Sequence, residues 1–393
     1  MGKYIKKITI LLVCFITVFM LPSEVLADSS ISEKEVKMVN SAYSGAFIHD
    51  NGMVTMAGST QVFGLGKPKE LSGYTSNLGN SKEWDIIAAN DNSIYGIKKN
   101  GTMWSWGFND VGQLGDGTTN NRYKPVQIGK GIKWKSVSSN YGHVVAINKE
   151  GYLYTWGANW SGQLGNGTIN NSSKPIKIGK DNDWTEAYAG GYHTLAFKKD
   201  GSMWAWGAGS AGRLGNKNDK NVLHPVKVAN SMEHKSIALG STHTVMIKKD
   251  GSLWGWGGNS YGQLGNGTKD DKNKPVRIGK SKDWSRVYAT EDMSFGIKKD
   301  GTLWAWGCLG YFVDKKEDAV TKPTQVGTDK DWVSVSNGSA SCKFVYFLKK
   351  DGSVYGFGNN GNDQLLLGLE ETRHETDLIK VNYNVKKRKV TLE

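Results

Sequence analysis

Helical periodicity is missing from this chain of 393 residues: no segment longer than a turn places apolar side chains at a 3.6-residue spacing. Helical bundles and α/β sheets are thereby excluded, and an all-β fold is left. Cysteine is nearly absent, with only Cys14, Cys308 and Cys342. Cys14 lies inside an N-terminal apolar run and not at the point of cleavage, so no lipid-anchoring cysteine is available. Cys308 and Cys342 form a candidate disulfide for an exported protein, although sequence cannot place two sulfurs within bonding reach. Catalytic spacings are missing as well. No Asp-His-Ser arrangement and no pair of histidines with a carboxylate surrounds His143, His193 or His243, so no catalytic residue, metal or cofactor is expected.

What is present begins with "MGKYIKKITILLVCFITVFMLPSEVLA". Three lysines precede a short apolar run, Pro22 ends it, and Val25 and Ala27 supply small residues before a cut. Residues 1–27 therefore read as a secretory signal peptide and the mature chain is expected to begin at or near Asp28, an uncleaved anchor being the alternative. Residues 28–36 read as a linker, 37–383 as one repeat domain, and 384–393 as a basic tail holding the run Lys386 to Lys389.

The repeat is explicit. "NGTMWSWGFNDVGQLGDGT" from Asn100 recurs as "EGYLYTWGANWSGQLGNGT" from Glu150, "DGSMWAWGAGSAGRLGN" from Asp200 and "DGSLWGWGGNSYGQLGNGT" from Asp250. Shorter echoes follow at Asp300 and Asp351, and a degenerate copy precedes them at Gly52. Around Gly251, "HTVMIKK" and "SLWGWG" each alternate in polarity across a "DG" turn, the pattern of an antiparallel hairpin. "KPVRIG" and "DWSRVYA" supply two more short strands, with Pro275 at a strand start or edge. Four strands per unit of about fifty residues predict a seven-bladed β-propeller. The paired aromatics, Trp254 and Trp256 with their counterparts, then read as packing between blades, since every blade needs packing and few need a ligand. "GQLGNGT" imitates a phosphate loop only superficially. Its lysine position is Thr268, the phrase repeats, and no helix follows, so it reads as a tight connection requiring positive φ.

The net charge is +13, and removal of Lys3, Lys6, Lys7 and Glu24 with the leader leaves about +11. Most lysines sit in "KKDG" turns distributed through the domain. Charge spread in this way predicts a solvated surface with weak attraction to anionic wall polymer, and no nucleic-acid stripe.

The combination "GxxHTxxxKKDGSLWxWGxNxxGQLGxGT…KPVxI" resembles the repeat of the regulator of chromosome condensation family over roughly residues 37 to 383, specifically in repeats two to five. The resemblance implies a propeller, and the family's uses include nucleotide exchange, light sensing and, in secreted bacterial members, β-lactamase inhibition. Export removes a cytosolic GTPase from reach, and the light sensor's "GWRHT" phrase is absent. The expected function is therefore a secreted, monomeric, non-enzymatic protein-binding propeller. Its expected partner is an extracellular or envelope protein, a β-lactamase being the sharpest version and envelope polymer the alternative.

In this family partners often meet the two residues before the "HT" position. Eight residues back from each hairpin glycine stand Ser44, Ser93, His143, His193, His243, Met293 and Phe344. The residues before them do not repeat, and that variation marks Tyr43, Asp91, Asn92, Tyr141, Tyr192, Glu291, Asp292 and Lys343 as candidate partner contacts. The divergent loop carrying Tyr311 and Phe312 is the second candidate. The three histidines among these positions read as structural, each bonding within its own blade.

Overall fold

The computed structural model describes residues 37–40, 44–48, 54–58, 76–77, 83–309, 319–338, 344–359 and 374–380. Six antiparallel sheets of four strands follow one another along the chain. The first blade is Trp84–Ala89, Ser93–Lys98, Met103–Gly107 and Arg122–Ile128. The second is Trp134–Asn140, His143–Asn148, Leu153–Gly157 and Ser172–Lys177. The third is Trp184–Ala189, His193–Lys198, Met203–Gly207 and Val222–Ala229, and the fourth is His234–Leu239, His243–Lys248, Leu253–Gly257 and Lys272–Ile278. The fifth is Trp284–Ala289, Met293–Lys298, Leu303–Gly307 and Val320–Val326. The sixth is Trp332–Val335, Phe344–Lys349, Val354–Asn359 and His374–Lys380.

The blade count corrects the expectation of seven alike units: among the described residues the four-stranded antiparallel blade occurs six times, not seven. Lys37–Asn40, Ser44–Ile48 and Val54–Gly58 instead enter a five-stranded sheet with the two-residue strands Ser76–Asn77 and Asn337–Gly338. Asn337–Gly338 pairs with it in parallel, Val39 opposite Asn337 and Asn40 opposite Gly338, which ties residues from the two ends of the domain. The physical reason lies in the degenerate first copy. It lacks the tryptophan pair that packs the other blades, and its described strands are joined by Asn337–Gly338 from the far end of the domain.

Within a blade the register follows the alternation read from sequence: Ile247 faces Leu253 and Thr244 faces Trp256. Four hairpin tips also grip the next blade, since Trp134, Trp184, Met232 and Trp332 donate backbone N–H groups to the carbonyls of Gly101, Gly151, Gly201 and Gly301 at 2.8 to 3.2 Å. The core is built between blades. Val245, Ile247, Leu253 and Leu264 of the fourth blade pack against Trp284, Val287 and Trp306 of the fifth.

The two aromatics of each pair differ in duty. Trp256 is fully buried, whereas Trp254 is half-buried with the Lys248 ammonium 3.7 Å from its ring. In the fifth blade Lys298 caps Trp304 at 4.2 Å and pairs with Asp283 at 3.1 Å. The expectation that both members form the core therefore holds fully only for the second.

The repeated loop explains the burial of the second tryptophan. The indole N–H of Trp306 donates to the Gln263 carbonyl of the preceding blade at 2.9 Å, and Gly265 (φ +75°) lies so close that a Cβ there would meet that ring at 2.9 Å. Glycine is required on both counts. Asn259 folds the loop, accepting from the Leu264 N–H and donating to the carbonyls of Thr268 and Asp270.

Candidate functional site

The second strand of five blades starts where the spacing from the hairpin glycine puts it, at Ser93, His143, His193, His243 and Met293. The preceding loops hold Asp91–Asn92, Tyr141–Gly142, Gly191–Tyr192, Ser241–Thr242 and Glu291–Asp292. Beside the last four lies the loop that follows the third strand of the blade before. A Cβ on Gly142 would meet Val111, Trp160 stands against Tyr192, Arg213 reaches the Ser241 carbonyl, and Gln263 bonds Asp292. Two families of loops thus form one end of the ring. Backbone bonds link neighbours within it, from Gly191 N–H to the Gly240 carbonyl and from Ser241 N–H to that of Glu291.

The structure brings Tyr141 and Tyr192 together, with ring centroids 4.7 Å apart, and adds Trp160 at 6.3 Å from Tyr192. Trp160 is 51% exposed, so an aromatic surface spans the boundary of the second and third blades. Tyr141 has φ +41° and Gly142 follows at +88°; a tyrosine in the left-handed region is strained and persists here with its ring tilted against that of Tyr192. Burial, then the hydrogen bond and charge of Tyr141 and the charge of Asp91, push the Tyr192 phenol well up, with Arg213 opposing. Tyr192 is therefore a hydroxyl at neutral pH.

Asp292 sits two blades further round. Burial pushes its carboxyl up against the bond that it accepts from Gln263 Nε2 at 3.0 Å. Asn92 accepts the Phe108 N–H at its carbonyl, and Glu291 accepts that of Ser241, so both contribute backbone to the rim. Trp160, Tyr261 (42% exposed) and Arg213 were missed by sequence reasoning. A signal was available for the two aromatics: the pairs before the loop glycine, Asp110–Val111, Trp160–Ser161, Ser210–Ala211 and Ser260–Tyr261, break the repeat as the rim does, and Arg213 stands where the other three loops have glutamine. Tyr43, Lys343, Tyr311 and Phe312 lie outside the described residues, as does Cys342, the suggested partner of Cys308. Cys308 itself is half-buried, its N–H bonded to the Asp292 carbonyl.

Two of the three buried histidines bond across a blade boundary, where bonding within their own blade was expected, and neither ring nitrogen of His193 has a hydrogen-bond partner. His143 Nε2 meets Thr194 Oγ1 at 3.1 Å and His243 Nε2 meets Ser294 Oγ at 2.8 Å. Each hydroxyl then donates to a loop carbonyl, that of Gln163 or Gln263. Burial pulls His143 down to about 4 and His243 to about 3, which keeps both rings neutral. Among the described residues no group of three or more His, Cys, Asp or Glu side chains could hold a metal.

No curated protein sequence matches the chain. Among solved structures it is similar to yeast RCC1 (Prp20), determined with Kap60 bound, at 20% identity over 93% of this chain and 92% of that one, with a TM-score of 0.73. Prp20p from Saccharomyces cerevisiae is similar at 22% identity over 84% and 85%, TM-score 0.72, and human WBSCR16 at 17% over 80% and 85%, TM-score 0.69. These likenesses show the fold. Models of the regulator of chromosome condensation (RCC1) repeat match residues 100–147, 150–197, 200–247 and 250–296, and a second such model spans 134–163, 185–213 and 235–263. Together they run unbroken from 100 to 296, half the chain, over the same blades whose hairpins, loops and inter-blade bonds repeat, and the chain belongs to the RCC1 repeat family.

Proposed function

We propose that this protein is an exported, non-enzymatic propeller that binds a protein partner through the loop end bearing Tyr141, Tyr192 and Trp160. The observation that carries this reading is the contrast between strands that repeat and a rim that does not. A frame tied blade to blade holds a partly exposed aromatic cluster where the repeat leaves side chains without packing duty. Rigid tyrosine and tryptophan supply large contact area with little ordering entropy. The similar yeast protein was determined with a protein, Kap60, bound to it. The leader-like residues 1–27 place the encounter outside the cytosol, where a class A β-lactamase is the first purified candidate and anionic wall polymer the charge control.

The test is affinity capture from culture supernatant and cell envelope by the mature protein and by a Tyr141→Ala/Tyr192→Ala double variant of equal thermal stability. A partner retained by the first in high salt and lost by the second is expected. Equal recovery by both, or binding that salt alone abolishes, contradicts the reading.

A further inference from the structure

The three rings of the rim do not lie flat on one another. Tyr141 and Tyr192 are inclined at 57°, and Trp160 and Tyr192 at 53°. They come from two kinds of loop: Tyr141 and Tyr192 precede the second strands of the second and third blades, and Trp160 follows the third strand of the second. Both tyrosines are half-buried and Trp160 is exposed, so solvent reaches all three. Inclined rings present their negatively polarised faces from more than one direction, an arrangement that suits a cation better than a flat apolar group.

Carboxylates stand beside them. Asp91, on the rim loop of the first blade, acts electrostatically on Tyr192. Asp110 is exposed on the loop whose Val111 side chain lies 3.4 Å from where a Cβ on Gly142 would be, and Gln113 Nε2 donates to Asp110 Oδ1 at 3.0 Å. Arg213, which also acts on Tyr192, is 8% exposed, donates to Ser210 and Ser241, and is itself met by the charge of Asp271. The loops of this end are acidic together. Residues 90–92, 108–121, 141–142, 158–171, 190–192, 208–221, 240–242, 258–271 and 290–292 hold eight acids and four bases. Asp116 and Asp270 pair with Arg122 and Lys272 of the outer strands, which still leaves six acids against four bases in a chain of net charge +13. A basic protein with acidic loops at one end favours cations there.

We propose that the Tyr141, Tyr192 and Trp160 rings receive a lysine or arginine side chain of the protein partner, with the acidic loops beside them balancing its charge. This rests on the protein-binding reading of the rim and adds the chemistry of what is bound: a basic residue whose stem lies on the aromatic faces. Rings that keep water from the charge make the contact outlast salt that screens exposed pairs.

A random-peptide display library panned on the mature protein and washed in high salt tests it. Enriched peptides should carry a lysine or arginine whose replacement by methionine, which keeps the stem and removes the charge, weakens binding about tenfold. Trp160→Leu, which keeps apolar surface without the ring, should lose the same tenfold with the melting temperature almost unchanged, and Trp160→Phe should recover most of it. Asp110→Asn should lose about threefold, the effect of an exposed charge. Peptides that lack a base, or that bind Trp160→Leu undiminished, yet need Tyr141 and Tyr192, would overturn this inference and leave the rim reading standing. Peptides indifferent to the tyrosines, or no enrichment, would count against both.

Discussion

The boundary between the fourth and fifth blades and the boundary between the third and fourth are built from the same repeat and differ in finish. At the former, Trp306, Ser294 and His243 close a complete set of bonds on the Gln263 loop, and Trp284 lies 5.9 Å from Trp306. At the latter, Arg213 replaces glutamine, three buried groups lack partners, and His234 stands where five other blades have tryptophan. His234 bonds Glu186 Oε2 at 2.9 Å, and Tyr188 donates to the same oxygen at 2.6 Å. One boundary is finished for stability. The other carries polar chemistry beside the aromatic rim, and repetition makes the difference visible, because each departure can be read against neighbours that did not depart.

The largest effect should come from breaking the finished boundary. Trp306→Ala is expected to destabilise by about 3 to 5 kcal/mol, the usual range for deleting a fully buried large aromatic, and half-buried Trp304→Ala by roughly a third of that. Denaturant midpoints at constant slope would show it; equal losses would mean that both tryptophans share one role.

Acid should weaken the boundaries that bury a bonded histidine, His143 between the second and third blades and His243 between the fourth and fifth. Below about pH 6.5 the unfolded chain protonates these histidines, while folded His143 stays neutral to about 4 and His243 to about 3. The unfolded state then binds more protons, so stability falls as pH falls through that window, on the order of 3 kcal/mol from His143 alone. His143→Gln should flatten the slope of unfolding free energy between pH 6.5 and 4. An unchanged slope would place the acid sensitivity elsewhere.

A smaller effect sharpens the contrast. His234→Trp, which copies the other blades, should destabilise unless Glu186→Ser accompanies it, with a coupling of about 1 to 2 kcal/mol in a double-mutant cycle. Additive effects would show that the His234–Glu186 contact contributes nothing.

Much of this was legible in sequence because hairpin glycines are conformationally obligatory. Counting back from Gly101, Gly151, Gly201, Gly251 and Gly301 finds the strand starts and hence the rim loops. Strand alternation put Trp254 and Trp256 on one face but does not say which lies at the lysine-capped edge. Nor did it expose the strand exchange that completes the N-terminal sheet, since a parallel pairing between Val39 and Asn337 leaves no local pattern. Trp160 and Arg213 are hidden in the sequence by a loop whose phrase repeats like masonry. Its glycines are that, and the side chains between them are not.

The central claim is that the Tyr141, Tyr192 and Trp160 surface binds a protein. It is tested most directly by measuring the affinity of the Tyr141→Ala/Tyr192→Ala variant for the recovered partner beside its melting temperature. Truncating contact aromatics at an interface centre typically removes more than about 2 kcal/mol, roughly thirtyfold in affinity. The account predicts at least that loss with the melting temperature almost unchanged. Full affinity in a normally folded variant would contradict it.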